Sequence, residues 1–132
     1  MTDLGHWTYD GEVPEDTYGF IYEITNNLNG RLYIGKKQMI TVRKMPALKG
    51  KKNKRHKTVD TDWRIYTGSS NALNSDIEAH GKENFKFKII RFCVSKSELM
   101  YRETKEQFDR EVLLSEKYYN AKIQCHLGKV KF

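Results

Sequence analysis

Two tyrosines, Tyr22 and Tyr33, stand on either side of a turn signal at Asn29-Gly30. Phe20-Ile21 runs into the first and Ile34-Gly35 follows the second. Asn-Gly between two such runs predicts a β-hairpin, because both residues tolerate positive φ. Side chains two apart share a strand face. Phe20, Tyr22 and Ile24 therefore lie on one face of the first strand, and Arg31, Tyr33 and Gly35 on one face of the second. Pairing the strands brings two phenols together beside a glycine that admits a backbone or a ligand closely. The sequence leaves the register open. It also leaves two uses for the phenols, proton chemistry on a bound ligand or plain packing of a core hairpin.

A second feature is electrostatic. The chain has 132 residues and a formal net charge of +7. From Ile24 to Val59 there is no acidic residue, while Arg31, Lys36, Lys37, Arg43, Lys44, Lys49, Lys51, Lys52, Lys54, Arg55 and Lys57 all fall there. Outside that stretch 13 basic residues face 17 acidic ones, so the positive charge is a patch. A confined basic patch is the footprint of a phosphate-rich partner. A solvated loop without a partner is the bland alternative. A membrane surface is disfavoured, since no amphipathic helix with an apolar face accompanies the patch, and no apolar run is long enough to span a bilayer. No signal peptide opens the chain. Cys93 and Cys125 lack a CxxC partner, which points to a reducing interior. The four histidines show no zinc-ligand spacing.

The elements that must hold these groups are legible in order. Residues 1–17 form an acidic arm, ordered or semi-ordered, with fraying at Met1 to Leu4 and Trp7 and Tyr9 as candidates to pack on the domain; a solvated extension is favoured over a cover for the basic surface. Strands are expected over Tyr18 to Thr25 and Arg31 to Gln38, and Pro46 disfavours helical geometry in the residue before it. Residues 44–58 are read as an exposed basic loop. Trp63, Ile65 and Tyr66 should be half-buried. Gly68-Ser69-Ser70 leads into a helix that runs to His80, with Ala72, Leu73 and Ile77 on its apolar stripe and Gly81 as its C-cap. Phe85, Phe87 and Ile89 alternate with Lys86 and Lys88, which predicts a strand; Ile90 and Phe92 suggest a central one. Ser95-x-x-Glu98 is a capping box. It opens the longest helix, expected over Ser97 to Glu116, packed through Leu99, Tyr101, Phe108, Val112, Leu113 and Leu114. Tyr118-Tyr119-Asn120 closes that helix, and 121–132 is a tail.

The hairpin resembles the signature of the GIY-YIG nuclease family. Ile21-Tyr22 and Tyr33-Ile34-Gly35 carry the resemblance, with ten residues between the tyrosines. Phe20 stands where the first motif has glycine, with Gly19 beside it. The family has a helix after the second motif, which implies a short one over Gln38 to Lys44 that ends before Pro46. Arg43 lies ten residues after Tyr33, Glu103 falls on the helix after the third strand, and Asn120 lies near the end. The histidine many members carry one turn after the arginine is absent; Ala47 occupies that position. Tyr-x-Gly-Ser-Ser followed by a short helix is similar to phage-type members. The resemblance covers residues 18–120. It implies an α+β three-layer sandwich, with a mainly antiparallel three-stranded sheet flanked by helices.

It also implies a metal-dependent DNA endonuclease, a hydrolase acting on phosphodiester bonds. Tyr22, Tyr33, Arg43, Glu103 and Asn120 would be its catalytic residues. Glu103 would hold a single Mg²⁺ or Mn²⁺ that stabilises the leaving and non-bridging oxygens. Arg43 would contact the scissile phosphate. A tyrosine would position or deprotonate water, its pKa lowered from about 10 by Lys36, Arg43 and the metal. Lys36, Lys37, Lys49, Lys51, Lys52, Lys54, Arg55 and Lys57 would contact nucleic acid. Homing members carry a separate recognition domain, and this chain is too short for one, so specificity is expected from its own loops. The implied setting is cytoplasmic, compatible with a phage-encoded protein in an infected bacterium. A non-catalytic nucleic-acid-binding module with the same fold is the alternative, and a basic loop docked on an acidic protein is a third.

Overall fold

A computed structural model describes residues 3–45, 47, 49–50 and 55–129, with the side chains of 43–45 and 55–57 outside the description. The hairpin is present. Strand β1 covers Gly19–Asn26 and β2 covers Leu32–Gln38, antiparallel, with Tyr22 opposite Gly35 and Ile24 opposite Tyr33. A five-residue loop, 27–31, joins them. Asn26 donates its N–H to Arg31 O at 2.8 Å, and Gly30 donates to Asn26 O at 2.7 Å. The Asn26 and Asn29 side chains accept from the N–H groups of Leu28 and Arg31, as asparagines in turns commonly do.

Beyond β2 the chain departs from expectation. Residues Ile40–Met45 form strand β3 and Arg55–Asp60 form β4, paired antiparallel in a separate two-stranded sheet. The expected helix over Gln38 to Lys44 is not there. Ile40, Thr41 and Val42 are a β-branched run, which loses rotamer freedom in a helix and fits a pleated ribbon. Both ends of the expected loop, 44–45 and 55–58, are likewise strand, with Arg43 opposite Lys57 and Met45 opposite Arg55. Lys51, Lys52 and Lys54 lie outside the described residues.

Trp63–Ile65 is a 3-10 turn, helix α1 covers Asn71–His80, strand β5 covers Phe85–Cys93, and helix α2 covers Lys96–Asp109. The main sheet runs in the order β2-β1-β5, all antiparallel. The central strand is therefore β1, and β5 lies at an edge. The burial of Ile90 has another origin. Ile21 faces Arg91 while Tyr22 faces Ile89, so Ile90 is the extra residue of a bulge that interrupts the alternation.

The sheet has a core on each face. Phe20, Tyr22, Ile24, Phe87 and Ile89 pack with Trp63 and Leu73 on one side; Ile21, Ile34 and Cys93 pack with Leu99 and Val112 on the other. This is the expected α+β arrangement. Phe20, the departure from the motif glycine, is fully buried in the first core. Trp63 is buried as well, while Ile65 is exposed and Tyr66 half-buried; on α1 only Leu73 is fully covered.

The acidic arm is not a solvated extension. Trp7 is buried in the first core and donates its indole N–H to Trp63 O at 2.6 Å. Thr8 bridges to Lys88, covering the outer edge of β5. His6 stacks on Phe87 with ring centroids 4.0 Å apart. Burial, helped by nearby Lys82, lowers its pKa to about 4, so the ring is neutral near pH 7.

Helix α2 begins as the capping box predicts. Ser95 Oγ accepts from Glu98 N–H at 3.1 Å, while Glu98 reaches back to Val94 N–H at 2.9 Å. It ends at Asp109, well before Glu116. Arg110 pairs with Glu23 of β1 and with Glu106, Glu111 turns left-handed at φ 52°, and a 3-10 turn carries Val112 into the core. Phe108, Leu113 and Leu114 are consequently exposed, so the packing surface of the helix is narrower than its sequence suggests. The following segment docks on β2, where Leu32 N–H meets Lys117 O at 2.8 Å and Tyr119 N–H meets Leu32 O at 2.7 Å. No helix among the described residues is long and apolar enough to cross a membrane.

Candidate active site

The two tyrosines meet on the face of the sheet that also carries Trp7 and Trp63. Their ring centroids are 6.1 Å apart, and the Tyr22 ring also abuts Trp7 at 4.9 Å and Tyr66 at 6.3 Å. Tyr22 is only 1% exposed. The motif glycine has a steric reason. A Cβ on Gly35 would run into the Tyr22 hydroxyl, which occupies that space. Gly68 approaches from the opposite side at φ 86°, where a Cβ would lie 3.0 Å from Tyr33 Cε2 and 3.1 Å from the Tyr22 hydroxyl. Two glycines thus bracket the phenols.

Tyr33 lies nearer the surface. Its hydroxyl is 3.2 Å from Ser69 Oγ. Burial raises the Tyr22 pKa well above the ordinary phenol value, with Tyr33, Tyr66 and Glu103 adding to the effect. Burial raises Tyr33 too, while the Ser69 hydroxyl and N–H oppose it. The sequence predicted lowered phenols. In this cluster desolvation comes first, and the charge of Glu103 acts in the same direction.

Glu103 reaches the same place from the other side of the sheet. Alternation places Tyr33 and Gly35 on one face of β2, and Ile34 and Lys36 on the face toward α2. Glu103 Oε1 lies 3.4 Å from Lys36 Nζ, and the Lys36 backbone N–H also stabilises its charge. Burial raises the carboxyl pKa, against the pull of Lys36. The Glu103 side chain is 13% exposed. The site therefore wraps around the outer edge of β2, phenols on one side and carboxylate on the other. A cleft of about 280 Å³ lined by Tyr22, Tyr33, Lys36, Tyr66 and Glu103 opens there. A second cleft of about 470 Å³ shares Tyr33, Lys36, Ser69 and Glu103 and continues toward Asn71, Asn120 and Lys122.

That edge is finished by side chains. Asn120 Oδ1 accepts from Ile34 N–H at 3.0 Å, its Nδ2 donates to Ile34 O at 2.8 Å, and Gln107 Nε2 donates to the same oxygen at 3.1 Å. Asn120 is thus brought to the site wall with its amide engaged on the backbone.

The remaining predicted residues divide. Lys36 is at the centre, as partner of Glu103. Lys37 also lines the smaller cleft, on the phenol face, where it is paired with Asp62 at 2.7 Å and lies over the Tyr66 ring at 4.1 Å. Arg43 is on β3, with its side chain outside the description; Arg55 and Lys57 are placed on β4 by backbone alone. Lys49 is exposed in a turn. The sequence reading passed over Tyr66 and Ser69 as site residues. The Tyr-x-Gly-Ser-Ser string was visible, but nothing in it says that the segment folds back onto the hairpin.

Fold and site together define a GIY-YIG nuclease domain, and sequence comparison agrees. The family described as "Putative endonuclease segE, GIY-YIG domain" matches residues 5–123, and the chain belongs to it. A curated relative, "Putative endonuclease segE" of Enterobacteria phage T4, is 34% identical over 106 residues, covering 80% of this chain. That match spans 41% of the relative's length. No solved structure matches the chain.

Proposed function

We propose that this domain is a metal-dependent DNA endonuclease that hydrolyses phosphodiester bonds with one divalent cation. The observation that carries the reading is the convergence of Tyr33, Lys36 and Glu103 on one open cleft from both faces of the edge strand.

The donors fit a hard cation that keeps most of its water. Among the described residues no cluster of three or more His, Cys, Asp or Glu side chains could enclose a metal. Mg²⁺ or Mn²⁺ is commonly held by one or two carboxylates plus substrate oxygens, which a lone Glu103 at a cleft satisfies. When bound, the ion supplies charge stabilisation at the leaving and non-bridging oxygens. Lys36, which otherwise neutralises Glu103, is then free to turn toward a phosphate oxygen. Tyr33 stands at the mouth of the cleft and accepts a proton from the attacking water. Tyr22, buried beneath it, fixes its ring. Arg43 offsets charge on the phosphoryl oxygens, and Asn120 holds the strand that carries Tyr33. The basic residues of the β3–β4 ribbon supply contacts to the DNA backbone. Lys37, tied to Asp62, contributes less than its sequence position suggests.

This chemistry suits the cytoplasm of a phage-infected bacterium, where Cys93 and Cys125, both free, remain reduced. The test is nicking of supercoiled plasmid with Mg²⁺, with Mn²⁺ and with chelator. Metal-dependent nicking that Tyr33→Phe lowers supports the reading. Salt-sensitive DNA retention without nicking in either metal would favour the non-catalytic binding module.

A further inference from the structure

The geometry points to Ser69 as the residue that orients the Tyr33 hydroxyl and supports it in its ionised form. This rests on the nuclease reading, since it names how the proposed proton acceptor is made competent.

Ser69 Oγ lies 3.2 Å from the Tyr33 hydroxyl. The Ser69 backbone also favours charge on the same oxygen, more weakly than the hydroxyl. A phenolate accepts hydrogen bonds and donates none. Once Tyr33 ionises, the Ser69 hydroxyl must be the donor, whichever atom donates before. Charge-assisted bonds of this kind are about twice as strong as neutral ones.

The donors are held in place by the turn around them. Gly68 passes under both phenols at φ 86°, a close approach that a side chain would block. Asn74 clamps the turn by donating to Gly68 O at 3.1 Å and to Ser70 O at 3.0 Å, and Thr67 donates to Asn74 Oδ1 at 2.6 Å. Ser70 caps α1 through Leu73 N–H at 3.2 Å. Ser69 is thus fixed between a pinned glycine and a helix cap. Donors fixed in advance need no reorganisation when charge develops.

The groups facing Tyr33 come from every neighbouring element: Tyr22 of β1, Lys36 of β2, Tyr66 and Ser69 of the segment before α1, and Glu103 of α2. Burial, Glu103 and Tyr66 oppose its ionisation, while Ser69 favours it. Tyr22 is only 1% exposed, whereas the Tyr33 hydroxyl reaches the exposed Ser69. That position makes Tyr33 the acceptor. In the step, a water O–H bond breaks and its proton goes to the Tyr33 oxygen. The water oxygen bonds to phosphorus, and the bond from phosphorus to the departing nucleotide oxygen breaks. Ser69 takes no proton, so it is a positioning residue.

The test uses the full chain without metal or DNA, carrying a fluorinated tyrosine whose phenol ionises nearer neutral pH. Fluorine NMR follows each ring, and the Tyr33 signal is identified by its loss in Tyr33→Phe. Ser69 is exposed, so its variants should fold. Ser69→Ala should raise the Tyr33 titration by about one unit, and Ser69→Thr, which keeps the hydroxyl, should restore most of it. The pH profile of cleavage should move the same way, leaving Ser69→Ala about tenfold slower near neutrality. A Ser69→Ala protein whose Tyr33 titrates as in the parent overturns the proposal, even if cleavage falls. If the titration moves while the unmodified chain cuts no DNA under any metal, Ser69 keeps its hold on Tyr33 and the nuclease reading fails instead.

Discussion

Asn120 directs both ends of its side-chain amide at the backbone of one residue, Ile34, accepting at 3.0 Å and donating at 2.8 Å. It thereby does for the edge of β2 what a neighbouring strand would do. Lys117 and Tyr119 serve the same edge by backbone pairing at Leu32. Glu103 continues the series at the Lys36 N–H. The proposed metal-holding carboxylate and a structural amide are therefore neighbours along one strand edge.

Asn120→Ala should destabilise the fold by about 1–3 kcal/mol, the usual cost of an orphaned buried donor. The Ile34 carbonyl keeps Gln107, so the loss falls on the Ile34 N–H. Denaturant titration reads this directly. Cleavage should fall with it, because Ile34 adjoins Tyr33. An Asn120→Ala protein of parental stability would mean that water replaces the amide and the edge needs no side chain.

Tyr22 predicts a pH dependence of stability. Its pKa is raised in the folded protein. The unfolded phenol releases its proton near pH 10, while the folded one holds it higher. The stability associated with burying the neutral phenol is thus complete below about pH 10 and is lost as pH rises toward the folded pKa. Melting temperature measured upward through that range should fall, and Tyr22→Phe should fall less steeply. Equal slopes would show that the buried phenol is not what limits alkaline stability.

The hairpin and its glycines were legible as local pattern, a turn signal and a two-residue alternation, whereas Glu103 stood out from the other glutamates of its helix only through the family resemblance. What escaped reading depended on distant partners. Trp7 looked like part of a polar arm, and its burial needs Trp63 and Phe20 brought together by folding. Ile40-Thr41-Val42 carried the β-branched signal, but expectation of a family helix outweighed it. The end of α2 was hidden because Val112 and Leu113 continue the apolar pattern, and only the pairing of Arg110 with Glu23 shows where the chain turns. Ser69 was visible as part of a helix cap and invisible as a neighbour of Tyr33.

The ribbon predicts a salt effect. Neutralising Lys51, Lys52, Lys54 and Arg55 should weaken DNA retention and flatten its salt dependence by about 0.9 in logarithmic slope per lost phosphate contact. The nicking rate at saturating protein should change far less than affinity, since lost backbone contacts weaken binding without removing a reacting group. Retention with an unchanged slope would place the DNA backbone elsewhere.

Glu103 carries the central claim. Its carboxyl is buried with a raised pKa, so it must ionise before it can hold a cation. The acid limb of the cleavage profile should accordingly lie above the ordinary glutamate range. Glu103→Gln keeps size and helix propensity and removes the charge. Glu106 lies one turn on in the same helix, paired with Arg110 at 2.8 Å and outside both site clefts. The direct measurement is plasmid nicking in Mg²⁺ by the parent, Glu103→Gln and Glu106→Gln, with DNA retention recorded alongside. The account predicts that the parent and Glu106→Gln nick, that chelator stops both, and that Glu103→Gln retains DNA without nicking it, poorly rescued by added Mg²⁺. Nicking by Glu103→Gln at the parental rate would contradict it.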